Sequence, residues 1–380
     1  MTNRPMERPS AIEQTNKATA IRFIQAFNND DWKAVREVVA SNYVFHHPIG
    51  GTVQAGPEGM VSAWSGFKAA LPDSWHPIPV MITEGDYVTV LLPTYGHFTG
   101  EPYHGFPPTG KWVEYGMVNM VRLEEGKLAE MWFGMDSLAE MQQMGVAPSA
   151  EPRKPSLTEK ANIEAFQRNV NTQNREYDNV AAFDDAVVAL GPPQHGEATT
   201  TRRVEIYRFA EGSPTLLYAY EFMTNPPYSG DPSVDTEASR TVAERWINDV
   251  LIGHKLNALD AITSPSILVH RTAMPCEASH YGISGVKQWL GDQWCAFPDL
   301  TIADYFSTAR GDIVAARWAA RGTSQGNFLI LPPTGKTVEY TGVSMYRIED
   351  GKIAEIWETR NTLGIMRQLN PEMGGEHHKH

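Results

Sequence analysis

The chain carries one long pattern twice. Pro107-Pro108-Thr109-Gly110, Val113-Glu114-Tyr115, Gly126-Lys127-Leu128-Ala129-Glu130, Trp132 and Asp136 return at unchanged spacing as Pro332-Pro333-Thr334-Gly335, Val338-Glu339-Tyr340, Gly351-Lys352-Ile353-Ala354-Glu355, Trp357 and Asn361. Upstream the spacing grows by one residue, as a single loop-length difference would produce: Pro72-Asp73 answers to Pro298-Asp299, and Gly85-Asp86 to Gly311-Asp312. Repeats of about 20–50 residues build solenoids and need several units, whereas a unit of about 140 residues can bury a core of its own. The expected organisation is therefore two tandem domains, residues 1–150 and 236–380, with a connecting region over 151–235.

Each copy shows the same order of periodicities. Ala20, Phe23, Ile24 and Phe27 recur at helical spacing within Asn16–Asn28, and a second short helix is expected over Asp31–Ala40. The second copy opens likewise with Val242, Trp246, Ile247 and Val250, then Leu256–Ile262. A short extended run ending in histidine follows, carrying His46 and His47 in the first copy and His270 in the second. A third helix carries Trp64 and Phe67, or Val286, Trp289 and Leu290. Four strand-like runs come next, Ile78–Thr83, Tyr87–Thr94, Trp112–Leu123 and Leu128–Gly134. Turn residues such as Glu84-Gly85-Asp86 and Glu124-Glu125-Gly126-Lys127 set them side by side as antiparallel hairpins. Helices first and an antiparallel sheet afterwards is an α+β domain. Between the copies, Thr158–Val170 reads as a helix, Val204–Phe209 and Thr215–Glu221 as a hairpin, and Asn225–Asp235 as linker; this region is expected to drape over a domain or extend a sheet.

Composition excludes several partners. A formal net charge of −13, with no basic run, argues against nucleic acid and anionic membrane, because phosphate contacts need a local surplus of lysine and arginine. No apolar stretch reaches the length of a membrane span and Met1–Ser10 has no apolar leader segment, so a cytoplasmic location is expected. The two cysteines, Cys276 and Cys295, read as thiols in a reducing compartment, and the tail Glu376–His380 reads as disordered. The sequence contains no nucleophile elbow, no phosphate-binding loop, no dinucleotide fingerprint and no His-Glu-x-x-His, so no metal or cofactor is expected.

These motifs together resemble the SnoaL-like polyketide cyclase and ester cyclase group of the nuclear transport factor 2-like superfamily. The resemblance rests on Phe297-Pro298-Asp299, Gly311-Asp312, Gly322-Thr323, Pro332 to Gly335, Asp350 to Ile353 with Glu355 and Trp357, and Leu363-Gly364-Ile365 with Gln368-Leu369. In the first copy it rests on Pro57-Glu58-Gly59, Gly85-Asp86, Gly100-Glu101, Pro107 to Gly110, Gly126-Lys127 and Trp132 to Asp136. It implies two cone-shaped domains, each a curved antiparallel sheet and helices enclosing one apolar pocket. It also implies an intramolecular aldol reaction without metal or cofactor on a small apolar or aromatic molecule, with an acidic residue four positions after the last-strand tryptophan as general acid/base. Asp136 holds that position in the first copy and Asn361 in the second. Related single domains pair through their sheets, so the fused chain resembles a dimer in one polypeptide, able to dimerise again.

Each candidate has a plain structural alternative. Asp136, flanked by Trp132, Phe133, Met135 and Leu138, suits a carboxyl whose pKa is raised by burial, but equally suits the N-cap of a helix over Ser137–Met144. Asn361 cannot take up a proton and reads first as a cap, with ligand binding second. His46, His47 and His97 are candidate groups for orienting a carbonyl, and His104 and His270 candidate contacts; histidines in such places are more often structural. His97 stands one residue before the position at which relatives carry histidine, which is Phe98 here and Ser324 in the second copy. Trp64, Phe67, Trp132 and Trp289 are core residues first and walls for a flat ligand second. The leading expectation is a cofactor-independent cyclase or isomerase acting on a β-keto or polyketide-like substrate. A retro-aldol lyase or hydrolase in the same pocket, and a non-catalytic binding protein, are the alternatives.

Overall fold

The computed structural model describes residues 9–47, 51–147, 157–172, 179–183, 186–191, 202–210, 213–222, 227–271 and 280–371. Cys276 and the histidine-rich tail lie outside them.

The first copy begins with α1 (Ala11–Asn28), which starts where Ser10 and Glu13 satisfy each other's backbone N–H groups, at 3.2 Å and 2.7 Å. Its stripe of Ala20, Phe23, Ile24 and Phe27 is buried against the sheet. Then follow α2 (Trp32–Val38), β1 (Val39–His47), β2 (Gly51–Gln54), α3 (Gly56–Ala70), β3 (Val80–Glu84), β4 (Tyr87–His97), β5 (Trp112–Glu124), β6 (Lys127–Met135) and α4 (Ser137–Met144). The sheet order is β2-β1-β6-β5-β4-β3, antiparallel except that β1 runs parallel to β6. Glu125 and Gly126 both take positive φ (51° and 74°), the two-residue hairpin turn that matches strand twist, and Asp350 and Gly351 repeat it.

The connecting region contributes α5 (Leu157–Thr172) and the strands β7 (Asn179–Phe183), β8 (Ala186–Gly191), β9 (Arg202–Ala210) and β10 (Ser213–Phe222). These four strands form a separate sheet in the order β10-β9-β8-β7 and add to neither of the other sheets. The second copy carries α6 (Thr236–Arg245) continued by a π-helical turn at Trp246–Ile252, then α7 (Leu259–Ile262), β11 (Thr263–His270), β12 (His280–Tyr281) and α8 (Gly282–Ala296). It ends with β13 (Thr301–Arg310), β14 (Ile313–Thr323), β15 (Thr337–Glu349), β16 (Lys352–Arg360) and α9 (Thr362–Leu369). Its sheet order, β12-β11-β16-β15-β14-β13, reproduces that of the first copy. Each half is thus an α+β domain, with the helices first and the sheet after them as the periodicities imply.

The two six-stranded sheets pack face to face. Val80, Ile82, Leu91 and Val118 of one join Ile313, Ala315, Val343, Met345 and Trp357 of the other in a single buried apolar cluster. The segment before α6 straps both halves together: Tyr228 pairs with Val80 in a β-bridge, and its hydroxyl donates to the Asp312 carboxylate at 2.7 Å. The sheets approach closely at Gly134, where an added β-carbon would stand 2.5 Å from Thr359 Oγ1 and 3.0 Å from the β-carbon of Val343 across the joint, and nearer still to the Val118 carbonyl oxygen of its own sheet. Gly134→Val is therefore expected to cost about 1–3 kcal/mol through overpacking, seen as a lower urea midpoint. An unchanged midpoint would show that the sheets can part there without loss.

Candidate active site

Inside the first copy the helices and the sheet leave a cavity of about 180 Å³. Trp64 and Phe67, one turn apart on α3, face it from one side, and Phe133 and Met135, alternate residues of β6, from another. Its polar groups are His47 from the end of β1, His76, Tyr103, His104, Tyr115 of β5 and Glu140 of α4. Phe27 and Phe67 pack on the His76 ring at 4.7 Å and 5.9 Å, so this histidine is walled by aromatic surface.

Glu140 is 1% exposed, and its Oε1 accepts a hydrogen bond from the Tyr115 hydroxyl at 2.8 Å. Burial pushes its carboxyl up to about 7, and the Tyr115 hydrogen bond only partly offsets this. Tyr115 moves up as well, through burial first and the Glu140 charge second, so it remains a protonated donor. His47 is lowered to about 4 by burial, with the neighbouring His104 adding to the effect, and His76 to about 3 by burial and the Lys68 charge. At neutral pH the site thus combines neutral imidazoles with a carboxyl poised between its two forms. His104 holds a left-handed backbone (φ 51°) in the loop before Pro107 and packs on Tyr103 at 4.1 Å.

The expected site residues divide between this cavity and other places. His47, His104, Trp64 and Phe67 line it. Asp136 does not; it is the N-cap of α4, its Oδ1 accepting from the backbone N–H of Leu138 at 3.1 Å and Ala139 at 3.3 Å. Its Oδ2 accepts from the Thr362 hydroxyl at 2.9 Å, so the side chain serves α4 and the other copy. Asn361 caps α9 in the same way, accepting from Gly364 N–H at 2.8 Å. His97 lies outside the cavity at the end of β4, where Asp73 takes both its backbone N–H and its ring Nδ1 at 2.7 Å. Asp299 grips Thr323 identically in the second copy, so the pairing belongs to a shared turn.

His46 points to the opposite face of β1 from His47, because successive strand residues alternate. It stacks on Trp132 (5.1 Å, 5°) and pairs with Glu130 at 2.8 Å, and both lie in the groove between the copies. His270 is the counterpart in the second copy, fully buried, stacked on Trp357 and paired with Glu355 at 2.9 Å. Trp289 is buried in the second core beside Trp246.

The two interiors diverge in chemistry. Tyr340 repeats Tyr115, but Ile365 stands where the first copy has Glu140, Leu329 where it has His104, with the same positive φ, and Arg271 where it has His47. The carboxyl and both imidazoles are therefore absent from the equivalent positions of the second copy. Glu140 was missed in the sequence reading. Its signal was a carboxyl on the buried stripe of a short helix, since Ser137, Glu140 and Met144 share one face of α4. Among the described residues no group of three or more His, Cys, Asp or Glu is placed to hold a metal ion, and no helix is long and apolar enough to cross a membrane.

The family model described as SnoaL-like polyketide cyclase matches residues 18–144 and again 241–369, more than half of the chain. Among solved structures the chain is similar to IdmH from Streptomyces antibioticus, at 28% identity over 34% of this chain and 99% of that one, TM-score 0.31. It is also similar to TsrD from Streptomyces laurentii, at 24% identity over 36% of this chain and 98% of that one, TM-score 0.32. A SnoaL-like polyketide cyclase from Agrobacterium tumefaciens is matched at 20% identity over 35% of this chain and 98% of that one, TM-score 0.30. No functionally curated protein sequence matches.

Proposed function

The chain belongs to the SnoaL-like polyketide cyclase family and carries its domain twice, and on that premise we propose that the first copy is an acid/base cyclase or isomerase in which Glu140 moves the proton. The observation that carries this reading is a fully buried carboxyl on the wall of an aromatic cavity, held by Tyr115 and pushed up to about 7. A base with a pKa near the working pH is the most effective at taking a proton from carbon.

In the proposed sequence the ionised Glu140 takes a proton from the carbon next to a carbonyl. The resulting enolate attacks a second carbonyl of the same molecule, forming a C–C bond and leaving an alkoxide. Glu140, now protonated, returns the proton to that oxygen, and nothing is oxidised or reduced. The neutral imidazole of His47 and the ring of His104 line the cavity and supply N–H groups for the enolate oxygen, where charge develops. Tyr115 orients Glu140, and Trp64, Phe67 and Phe133 keep water out. The cavity, about 180 Å³, lies below the roughly 300 Å³ at which sites for drug-sized molecules begin, so a small β-keto ester suits it better than a fused-ring polyketide.

The test is incubation with a panel of small β-keto esters in D2O, read by mass spectrometry. Deuterium next to the carbonyl, with a product of otherwise unchanged mass or lacking one water, is the expected outcome. Asp136→Asn is expected to keep both, because asparagine also caps helices and Asp136 does not line the cavity. Two smaller fragments would replace the cyclase by a lyase, gain of water by a hydrolase, and absence of exchange across the panel would favour a binding protein.

A further inference from the structure

His76 is a buried imidazole on the cavity wall that takes no part in the proton transfers above. It is 1% exposed, and Phe27 and Phe67 pack on its ring. The fold alone does not call for an imidazole at this place. The β-bridge of Trp75 to Tyr95 has its equivalent in the pairing of Thr301 with Arg321, so the next residue of the second copy, Ile302, is the counterpart of His76. Ile302 packs against the apolar core. A hydrocarbon thus serves the second copy where the first keeps a polar ring among aromatic side chains, a setting that penalises an unsatisfied polar atom.

One ring nitrogen is accounted for, and its partner fixes where the proton sits. Asn28, at the end of α1, pairs with the backbone of His76 in both directions. Its Nδ2 donates to the His76 carbonyl at 2.9 Å, and its Oδ1 accepts the His76 backbone N–H at 2.9 Å. This double pairing leaves no freedom to exchange the oxygen and nitrogen of the amide. The same Oδ1 stands 3.2 Å from the ring Nδ1, and because an amide oxygen can only accept, Nδ1 carries the proton. The ring is neutral at physiological pH, since burial and then the Lys68 charge hold it down to about 3. A neutral imidazole has one N–H, so Nε2 is a bare lone pair. Among the described residues nothing donates to it.

We propose that His76 is a specificity-determining residue of the cavity, its Nε2 accepting a hydrogen bond from a hydroxyl of the substrate. The assignment rests on the reading of this cavity as the active site, and it adds a substrate class, a small β-keto ester that also carries a hydroxyl group. The other oxygen groups are engaged elsewhere: the Tyr115 hydroxyl donates to Glu140, and Glu140 carries the migrating proton. His76 orients the substrate and takes no proton from it, because an imidazole so hard to protonate is a hydrogen-bond acceptor and a poor base. A site built to bond a hydroxyl rejects the analogue that lacks one, since the acceptor is then buried without a donor.

The test uses the full chain with nitrogen-15 in its histidines and two probes of like shape, phenol and toluene. Both suit a cavity of about 180 Å³, since an apolar cavity of about 150 Å³ holds benzene. In the free protein the His76 Nδ1 resonance is expected to be of the protonated type and Nε2 of the unprotonated type. Saturating phenol is expected to move Nε2, and toluene to leave it in place. His76→Phe is expected to weaken phenol by roughly tenfold and to keep toluene, with His76→Ile, which installs the second copy's residue type, as the second variant. The proposal is overturned by a proton on Nε2, by absence of saturable phenol binding, by phenol that leaves Nε2 unmoved, or by equal changes for phenol and toluene in the variants. The wild-type spectrum decides alone if neither variant folds. Phenol is read without turnover, so loss of deuterium exchange with the phenol result intact overturns the Glu140 mechanism only, and the reverse outcome overturns only the role of His76.

Discussion

Glu140→Gln is expected to lose catalysis and gain stability, and the two effects have one cause. The carboxyl sits among aromatic side chains with Tyr115 as its hydrogen-bond partner, and burial raises it from 4.5 to about 7. Loss of a general base at carbon lowers kcat by roughly 10²–10⁴-fold. Because the base must be ionised, kcat/KM of the wild type is expected to rise as pH increases through about 7.

The stability effect runs the other way. A carboxyl whose folded pKa lies above its unfolded value binds its proton more tightly in the folded state. Stability is then greatest below pH 4.5, falls between 4.5 and about 7, and is level above that. The difference amounts to about 3 kcal/mol, an upper figure, and glutamine avoids it. The variant and wild type should therefore unfold alike in urea near pH 4, and the variant should be the more stable at pH 8. A Glu140→Gln enzyme that turns over at the wild-type rate would remove Glu140 from the mechanism, and equal stability at both pH values would show that the carboxyl is not strained by burial.

Glu355→Ala is expected to be among the most damaging single changes, while the equivalent Glu130→Ala should be mild. Glu355 accepts from His270 at 2.9 Å and from Arg347 at 3.0 Å, with side-chain exposures of 0% for His270 and 1% for Glu355. Burial works against its ionisation, but the His270 hydrogen bond and the Arg347 charge more than offset that and hold the carboxyl below its usual range. Removing the carboxylate takes a buried partner from the imidazole and from the guanidinium, which keeps the half-exposed Glu349 at 3.2 Å, at a cost of about 3–5 kcal/mol. In the first copy the same three residue types, His46, Glu130 and Arg122, sit at 2.8 Å and 3.0 Å but are 27%, 22% and 31% exposed. Water can replace the lost partner there, so the cost is about 1 kcal/mol or less. Urea midpoints of the two variants test this. Equal losses would mean that the open cleft beside Trp132 closes in solution.

Much of the architecture was legible because it depends on local spacing. The strand expected over Trp112–Leu123 is observed as Trp112–Glu124, and Leu128–Gly134 as Lys127–Met135, since hairpin turns bound both ends. The helix over Ser137–Met144 is found with those limits, because the residue before it caps it. The opening helix starts five residues before the expected Asn16, at the Ser10 and Glu13 box, where a polar first turn hides the apolar periodicity. β7 and β8 went unexpected, and they lie in a region with no repeat partner to corroborate a pattern.

The site was less legible, for a reason visible at α4. The sequence marks a carboxylate at Asp136 beside an aromatic strand, and nothing local says that its oxygens turn to the helix backbone and to Thr362 of the other copy. Glu140, one turn on, looks like an ordinary helix-surface residue until the sheet curves over it and brings Tyr115 within 2.8 Å. The repeat, the strand alternation and the caps are properties of neighbouring residues, so the sequence by itself determined two α+β domains in tandem and the loss of a carboxylate from one of two matched positions. Which carboxyl is dry and which histidine faces the cavity depend on groups far apart in the chain, and only the tertiary structure decided them, because dielectric and charge environment exist only once distant surfaces have met.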